Sequence, residues 1–122
     1  MKLTIPIDAV SQERPRVYNR VAVDPPKSRQ FKKDFATFVQ LLNRGKNFFT
    51  GAVKVDIKVF RQSDKFKSGV TSSQFGDVDN LAKGILDACK GILWIDDRQV
   101  ADLHITKNLA ESPYVELSVE DF

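Results

Sequence analysis

With 122 residues, 42% of them hydrophobic and 29% charged, the chain has room for one domain and one packed core. No apolar run approaches the ~20 residues of a membrane span, and Pro6 and Asp8 interrupt the N-terminal stretch that a signal peptide would need, so a cytoplasmic protein is expected. One cysteine and one histidine exclude an intrachain disulfide and a four-ligand Cys/His zinc site. Any metal must then be held by carboxylate oxygens, which favours Mg²⁺, or Mn²⁺, over Zn²⁺.

The net charge of +3 conceals a polarity along the chain. Residues 11–69 carry fourteen Lys/Arg against five Asp/Glu, whereas residues 70–122 carry four against ten. A basic half suits a polyanionic partner and an acidic half suits a divalent cation. If the two halves intermix on a solvated surface, the asymmetry has no such meaning. It becomes informative only where the acids cluster.

In chain order, Leu3, Ile5 and Ile7 alternate with polar or turn-forming residues and predict a first strand, which Pro6 places at an edge or closes early. Residues 11–26 read as irregular, with Arg14-Pro15-Arg16 and Pro25-Pro26. Phe31, Phe35, Phe38 and Leu42 recur at helical spacing, so a helix should run from about Ser28 to Gly45 with Lys32, Lys33 and Gln40 on its far face. That period accounts for the Phe stripe as core rather than as a base-stacking platform. Val53, Val55, Ile57 and Val59 alternate with Lys54, Asp56, Lys58 and Phe60, the pattern of a half-buried strand. Residues 61–76 are polar and aperiodic, a long loop of the kind that often carries function.

A second helix is predicted over 79–90, with Leu81, Ile85, Ala88 and Cys89 inward and Gly91 as its stop. Residues 92–95 form a short apolar segment leading to Asp96-Asp97. Two strands close the chain, one around Leu103 and Ile105 with His104 facing outward, the other through Val115, Leu117 and Val119. Trp94 and Cys89 read as core. The order β, α, β, α, β, β predicts a single α+β domain over 1–122, two main helices packed on a mixed sheet.

Asp77-Val78-Asp79-Asn80-Leu81-Ala82-Lys83 lies at a loop-to-helix junction. Extended backbone before the helix would point Asp77 and Asp79 to one side, and Lys83 follows Asp79 by one helical turn. Asp97, at the end of a short apolar strand, could return to the same place. Carboxylates that meet repel by on the order of 4 kcal/mol per pair at about 4 Å, a cost that a divalent cation converts into affinity. Each residue also has a plainer reading: Asp79 as a helix cap, Lys83 with Asp87 as an exposed ion pair, Asp96-Asp97 as a turn. A bare Asp-x-Asp also occurs in phosphatases, but there it follows a buried apolar strand, and here it follows Thr71-Ser72-Ser73-Gln74-Phe75-Gly76.

Taken together, Asp77-Val78-Asp79-Asn80 with Lys83, then Asp87-Ala88, then Asp96-Asp97-Arg98-Gln99-Val100 closely resemble the RusA family of Holliday junction resolvases. Arg14-Pro15-Arg16 fits more loosely a stretch common in these proteins. The resemblance implies Asp77, Asp79 and Asp97 as metal-binding carboxylates, Lys83 as the essential lysine and Asp96 as an adjacent acid. It also implies a Mg²⁺-dependent endonuclease that cuts four-way junction DNA as a homodimer and leaves 5′-phosphate and 3′-hydroxyl ends, with no small-molecule cofactor and no membrane partner. The loop before Asp77 departs from the family's type member, which carries a run of arginines there. Arg14, Arg16, Arg20, Lys27, Arg29, Lys65 and Lys67 are candidate phosphate contacts. Phe75 is a candidate wedge at the junction centre, or else a loop anchor in the core. A DNA-binding accessory protein with a non-catalytic site, and a nuclease for other branched DNA, are the alternative readings.

Overall fold

The strongest alternation in the sequence becomes the centre of the sheet. In the computed structural model, which describes residues 1–11, 16–18, 21–23, 26–62, 66–67, 70–71 and 76–122, strand β4 spans Val53–Arg61. For 16–18, 21–23, 66–67 and 70–71 the backbone alone is described. Val53, Val55, Ile57 and Val59 of β4 are fully buried on one face, while Lys54 and Lys58 are exposed on the other. On one side β4 pairs in parallel with β7 (Val100–Leu109), and on the other antiparallel with β8 (Tyr114–Asp121). Strand β1 (Lys2–Ile5) adds antiparallel to β8, giving the order β1-β8-β4-β7. The sheet is therefore mixed, as expected, and Pro6 does close the first strand at an edge. Two short hairpins, β2 (Arg16–Tyr18) with β3 (Val21–Val23) and β5 (Phe66–Lys67) with β6 (Val70–Thr71), occupy stretches that read as irregular in sequence.

Helices α1 (Pro26–Asn43) and α2 (Val78–Cys89) bury their apolar stripes in one cluster with the inner faces of β4 and β8. On α1 the buried line is Ser28, Phe31, Phe35, Val39 and Asn43. Leu42, expected in the core, is 45% exposed, and Phe38 is only half-buried. The straight-helix period, continued from Phe35, reaches Val39 four residues on, and the C-terminal end of α1 turns Leu42 to solvent. Fully burying each such aliphatic or aromatic side chain stabilises the fold by about 1.5–3 kcal/mol. Among the described residues no helix is long and apolar enough to cross a membrane.

Because β4 and β7 run parallel, the chain between them must cross over the sheet, and α2 is that crossover. The segment after α2 is a tight turn rather than the short strand expected. Gly91, at φ +82°, reverses the backbone, and Ile92 and Leu93 both donate to the Cys89 carbonyl. Trp94 makes isolated bridges to Phe49 and Lys90, and a single 3₁₀ turn, Asp97–Gln99, leads into β7.

Candidate active site

Three residues on α2 share one stripe, because Asp79, Lys83 and Asp87 follow at intervals of four. Together with Asp97 they line a pocket of about 380 Å³ whose apolar wall is Val78, Ala82, Leu86, Leu103 and Ile105. Lys83 and Asp79 are exposed, and Asp87 and Asp97 are half-buried.

The acid from beyond the helix meets α2 at Asp87. Asp87 and Asp97 line the pocket together, and the negative charge of Asp97 acts on the Asp87 carboxyl. Burial first, then the hydrogen bond to Asp97 and its negative charge, hold the Asp87 carboxyl above the usual carboxylate range; Lys32 and Lys83 act against this. The Lys32 ammonium, on α1, stands 3.9 Å from the Asp87 carboxylate. Lys32 therefore lies at the α1–α2 boundary rather than on a far face of α1. Burial, and then the charge of Asp97, push the adjacent Cys89 thiol up, which keeps it protonated as an inert core residue.

Asp97 is aimed by its surroundings. Its Oδ1 accepts from the Trp94 indole N–H at 3.0 Å, and Trp94 is fully buried. Asp96 is the N-cap of the 3₁₀ turn: its side chain accepts from the Arg98 backbone N–H, which lowers its pKa. Gln99 closes the capping box by accepting from the backbone N–H groups of Ile95 and Asp96, while its amide donates to the Phe49 and Gly51 carbonyls. Asp96 is thus placed as the residue that shapes the turn, and Asp97 as the one that faces the pocket.

Asp77 is the N-cap of α2, extended at φ −83° and ψ 147°, with no side-chain capping bond. It is exposed and does not belong to the pocket lining. Its backbone is fixed from before: Gly76 has φ +86°, and a Cβ there would stand 2.4 Å from the Ser11 Cβ, so only glycine fits. Lys107 of β7 donates to the Gly76 carbonyl at 3.0 Å. Ser11 in turn follows Asp8 and Ala9, both bound by the buried Arg61 side chain at the end of β4. Arg61, placed by its sequence at the head of a loop, is a core anchor.

The structure therefore brings Asp79, Lys83 and Asp97 to one pocket and leaves Asp77 on the helix start outside it. Among the described residues no three carboxylate, imidazole or thiol groups stand close enough to hold one ion between them. Of the candidate phosphate contacts, Lys27 and Arg29 are exposed on the first turn of α1. Arg16 and Lys67 lie on β2 and β5, and Arg14, Arg20, Lys65 and Phe75 lie outside the described residues. The sequence reading missed Asp87, Trp94 and Gln99 as site residues. Asp87 and Gln99 stood in the motif that carries the family resemblance but were given no role there, and Asp87 also follows Lys83 by four residues.

Two comparisons with known proteins bear on this pocket. The uncharacterized protein YqaN of Bacillus subtilis (strain 168) is 32% identical to this chain over 140 aligned positions, which cover 99% of the chain and 96% of the relative. The family model for endodeoxyribonuclease RusA matches residues 6–120, a span that begins just after β1 and takes in β4, β7, nearly all of β8, both helices and all the acids of the pocket. The acid-and-lysine pattern read from the sequence and a match along almost the entire chain agree, and the protein belongs to the RusA family of endodeoxyribonucleases.

Proposed function

We propose that this protein resolves four-way DNA junctions by Mg²⁺-dependent phosphodiester hydrolysis, acting as a homodimer that places paired, symmetric nicks. The observation that carries the proposal is the pocket itself, in which acids from α2 and from the 3₁₀ turn meet beside Lys83 in a chain of an endodeoxyribonuclease family.

The residues fit a hard divalent cation. The donors are oxygens alone, and Asp97 stands against a second carboxyl, an arrangement whose repulsion a cation relieves. Asp97 and Asp79 would hold the ion, with Asp77 beside Asp79 in sequence. When bound, Mg²⁺ would polarise the scissile phosphate and make a water molecule more acidic. The chain's own residues do the rest. Trp94 fixes the direction of Asp97 through its N–H, so that little reorganisation is needed when substrate arrives. Lys83 would place an ammonium where charge on the phosphate grows during attack. In-line attack at phosphorus with departure of the 3′-oxygen leaves 5′-phosphate and 3′-hydroxyl ends. Lys27 and Arg29, exposed on the helix whose Lys32 stands 3.9 Å from Asp87, would bind backbone phosphates.

The experiment compares a synthetic four-way junction with a flap and a linear duplex, in Mg²⁺ and in EDTA. Junction cutting that needs Mg²⁺ and falls by at least about 100-fold in Asp97→Asn is the expected outcome. Binding without cutting would instead identify an accessory protein, and equal cutting of the flap a broader branched-DNA nuclease.

A further inference from the structure

Lys107 interrupts an apolar stripe. Leu103, Ile105 and Lys107 share one face of β7 by the two-residue strand period, and the first two form part of the pocket wall beside α2. The register partner of Lys107 on β4 is the fully buried Val59, so this position lies on the packed side of the sheet, where the pattern calls for an apolar residue. Its ammonium donates instead to the Gly76 carbonyl at 3.0 Å, one residue before the N-cap of α2. Helix stability does not account for a cation there, because the N-terminal end of a helix carries partial positive charge and disfavours it. An N-cap aspartate ordinarily accepts from the first free N–H groups and so holds the entry of the chain into the helix. Asp77 makes no such side-chain bond. The entry is held from outside instead, by Lys107 and by Ser11, which is packed against Gly76.

We infer that Lys107 is a positioning residue of the active site: its grip on the Gly76 carbonyl fixes the start of α2, and so the placement of Asp77 and Asp79, without drawing the Asp77 carboxylate into capping. Strand β7 makes this grip effective. It follows directly on the 3₁₀ turn that carries Asp97, lines the pocket through Leu103 and Ile105, and reaches the start of α2 at Lys107. One strand, paired with β4 along its length, thereby ties the acid of the turn to the acids of the helix start. A misplacement of about 1 Å in a reacting constellation can slow a reaction by about 100-fold, so such a tie matters to the rate. The inference rests on the nuclease reading above and adds to it a residue from outside the pocket lining.

The test separates position from stability. Lys107→Met keeps the aliphatic stem and deletes the donors, and Lys107→Arg restores a donor of similar reach. Val39→Ala, in the core on α1 and outside the pocket lining, is the control for lost stability. In the metal-free chain, amide hydrogen exchange is read at Leu81, whose N–H donates to the Asp77 carbonyl, and at Lys90, at the other end of α2. Lys107→Met should speed exchange at Leu81 by at least about tenfold and leave Lys90 within about twofold. Junction cutting in Mg²⁺ at saturating enzyme should slow by about tenfold or more, with junction affinity in EDTA unchanged. Lys107→Arg should recover most of both, and folded Val39→Ala should cut at the wild-type rate. Lys107→Gln, too short for the Gly76 carbonyl, takes the same measurements if Lys107→Met does not fold. Wild-type exchange at Leu81, or cutting at the wild-type rate as in Val39→Ala, overturns the role of Lys107 and leaves the nuclease standing. A wild type that cuts no junction in Mg²⁺ removes the nuclease reading and this role with it.

Discussion

Trp94 illustrates how a core residue can also set chemistry. Its ring fills the interior, and its one polar atom would be orphaned there if Asp97 did not accept its hydrogen. The bond satisfies the indole and at the same time fixes the carboxylate, leaving the rest of Asp97 for the pocket. Trp94→Phe keeps most of the apolar volume and deletes the donor. The expected loss of stability is about 1–3 kcal/mol, from the missing hydrogen bond and the smaller ring. Junction cleavage should fall by roughly tenfold, as it does when a partner that orients a metal ligand is removed. Denaturant unfolding and cleavage rates measured on the same preparation check this; full activity in a folded Trp94→Phe protein would show that Asp97 needs no such aim. The neighbouring Asp96 and Gln99 act on the backbone of the same turn, which explains why two adjacent acids have different roles although the sequence presents them as a pair.

At the scale of elements, period-based reading succeeds where a pattern is local and long. The alternation of β4 and the apolar face of α2 were both legible, and α2 begins within one residue of its expected start. It fails where burial depends on what lies opposite. Leu42 fits the helical spacing as well as Val39 does, but it lies off the line of Phe35, Val39 and Asn43 that faces the core. Val39→Ala should therefore cost about 1–3 kcal/mol, while Leu42→Ala should change stability by less than about 0.5 kcal/mol. Comparable losses in both, measured by urea unfolding, would contradict the buried line on α1. The site shows the same limit. Its residue types and spacings could be read along the chain, but the meeting of Asp87 with Asp97 depends on how the turn after Gly91 reverses, which no periodicity encodes.

The order of the sheet is a property of the whole molecule, and with α2 as its crossover it positions the acidic pocket. Among the described residues the pocket draws on α2, the 3₁₀ turn and Lys83, so on the proposed reading a single protomer addresses one strand of a junction at a time. A four-way junction presents two equivalent strands related by a two-fold axis, and a dimer of the same symmetry matches it with two pockets. Mixing makes the dependence measurable. When wild-type chains are allowed to exchange with Asp97→Asn chains and then act on a cruciform in a supercoiled plasmid, mixed dimers can cut one strand only. The ratio of nicked to linear product should then rise with the fraction of Asp97→Asn chains, while total cutting falls. A ratio that does not change with mixing, together with sedimentation of the wild type as a monomer, would mean that each chain nicks alone, and paired cutting would have to be abandoned.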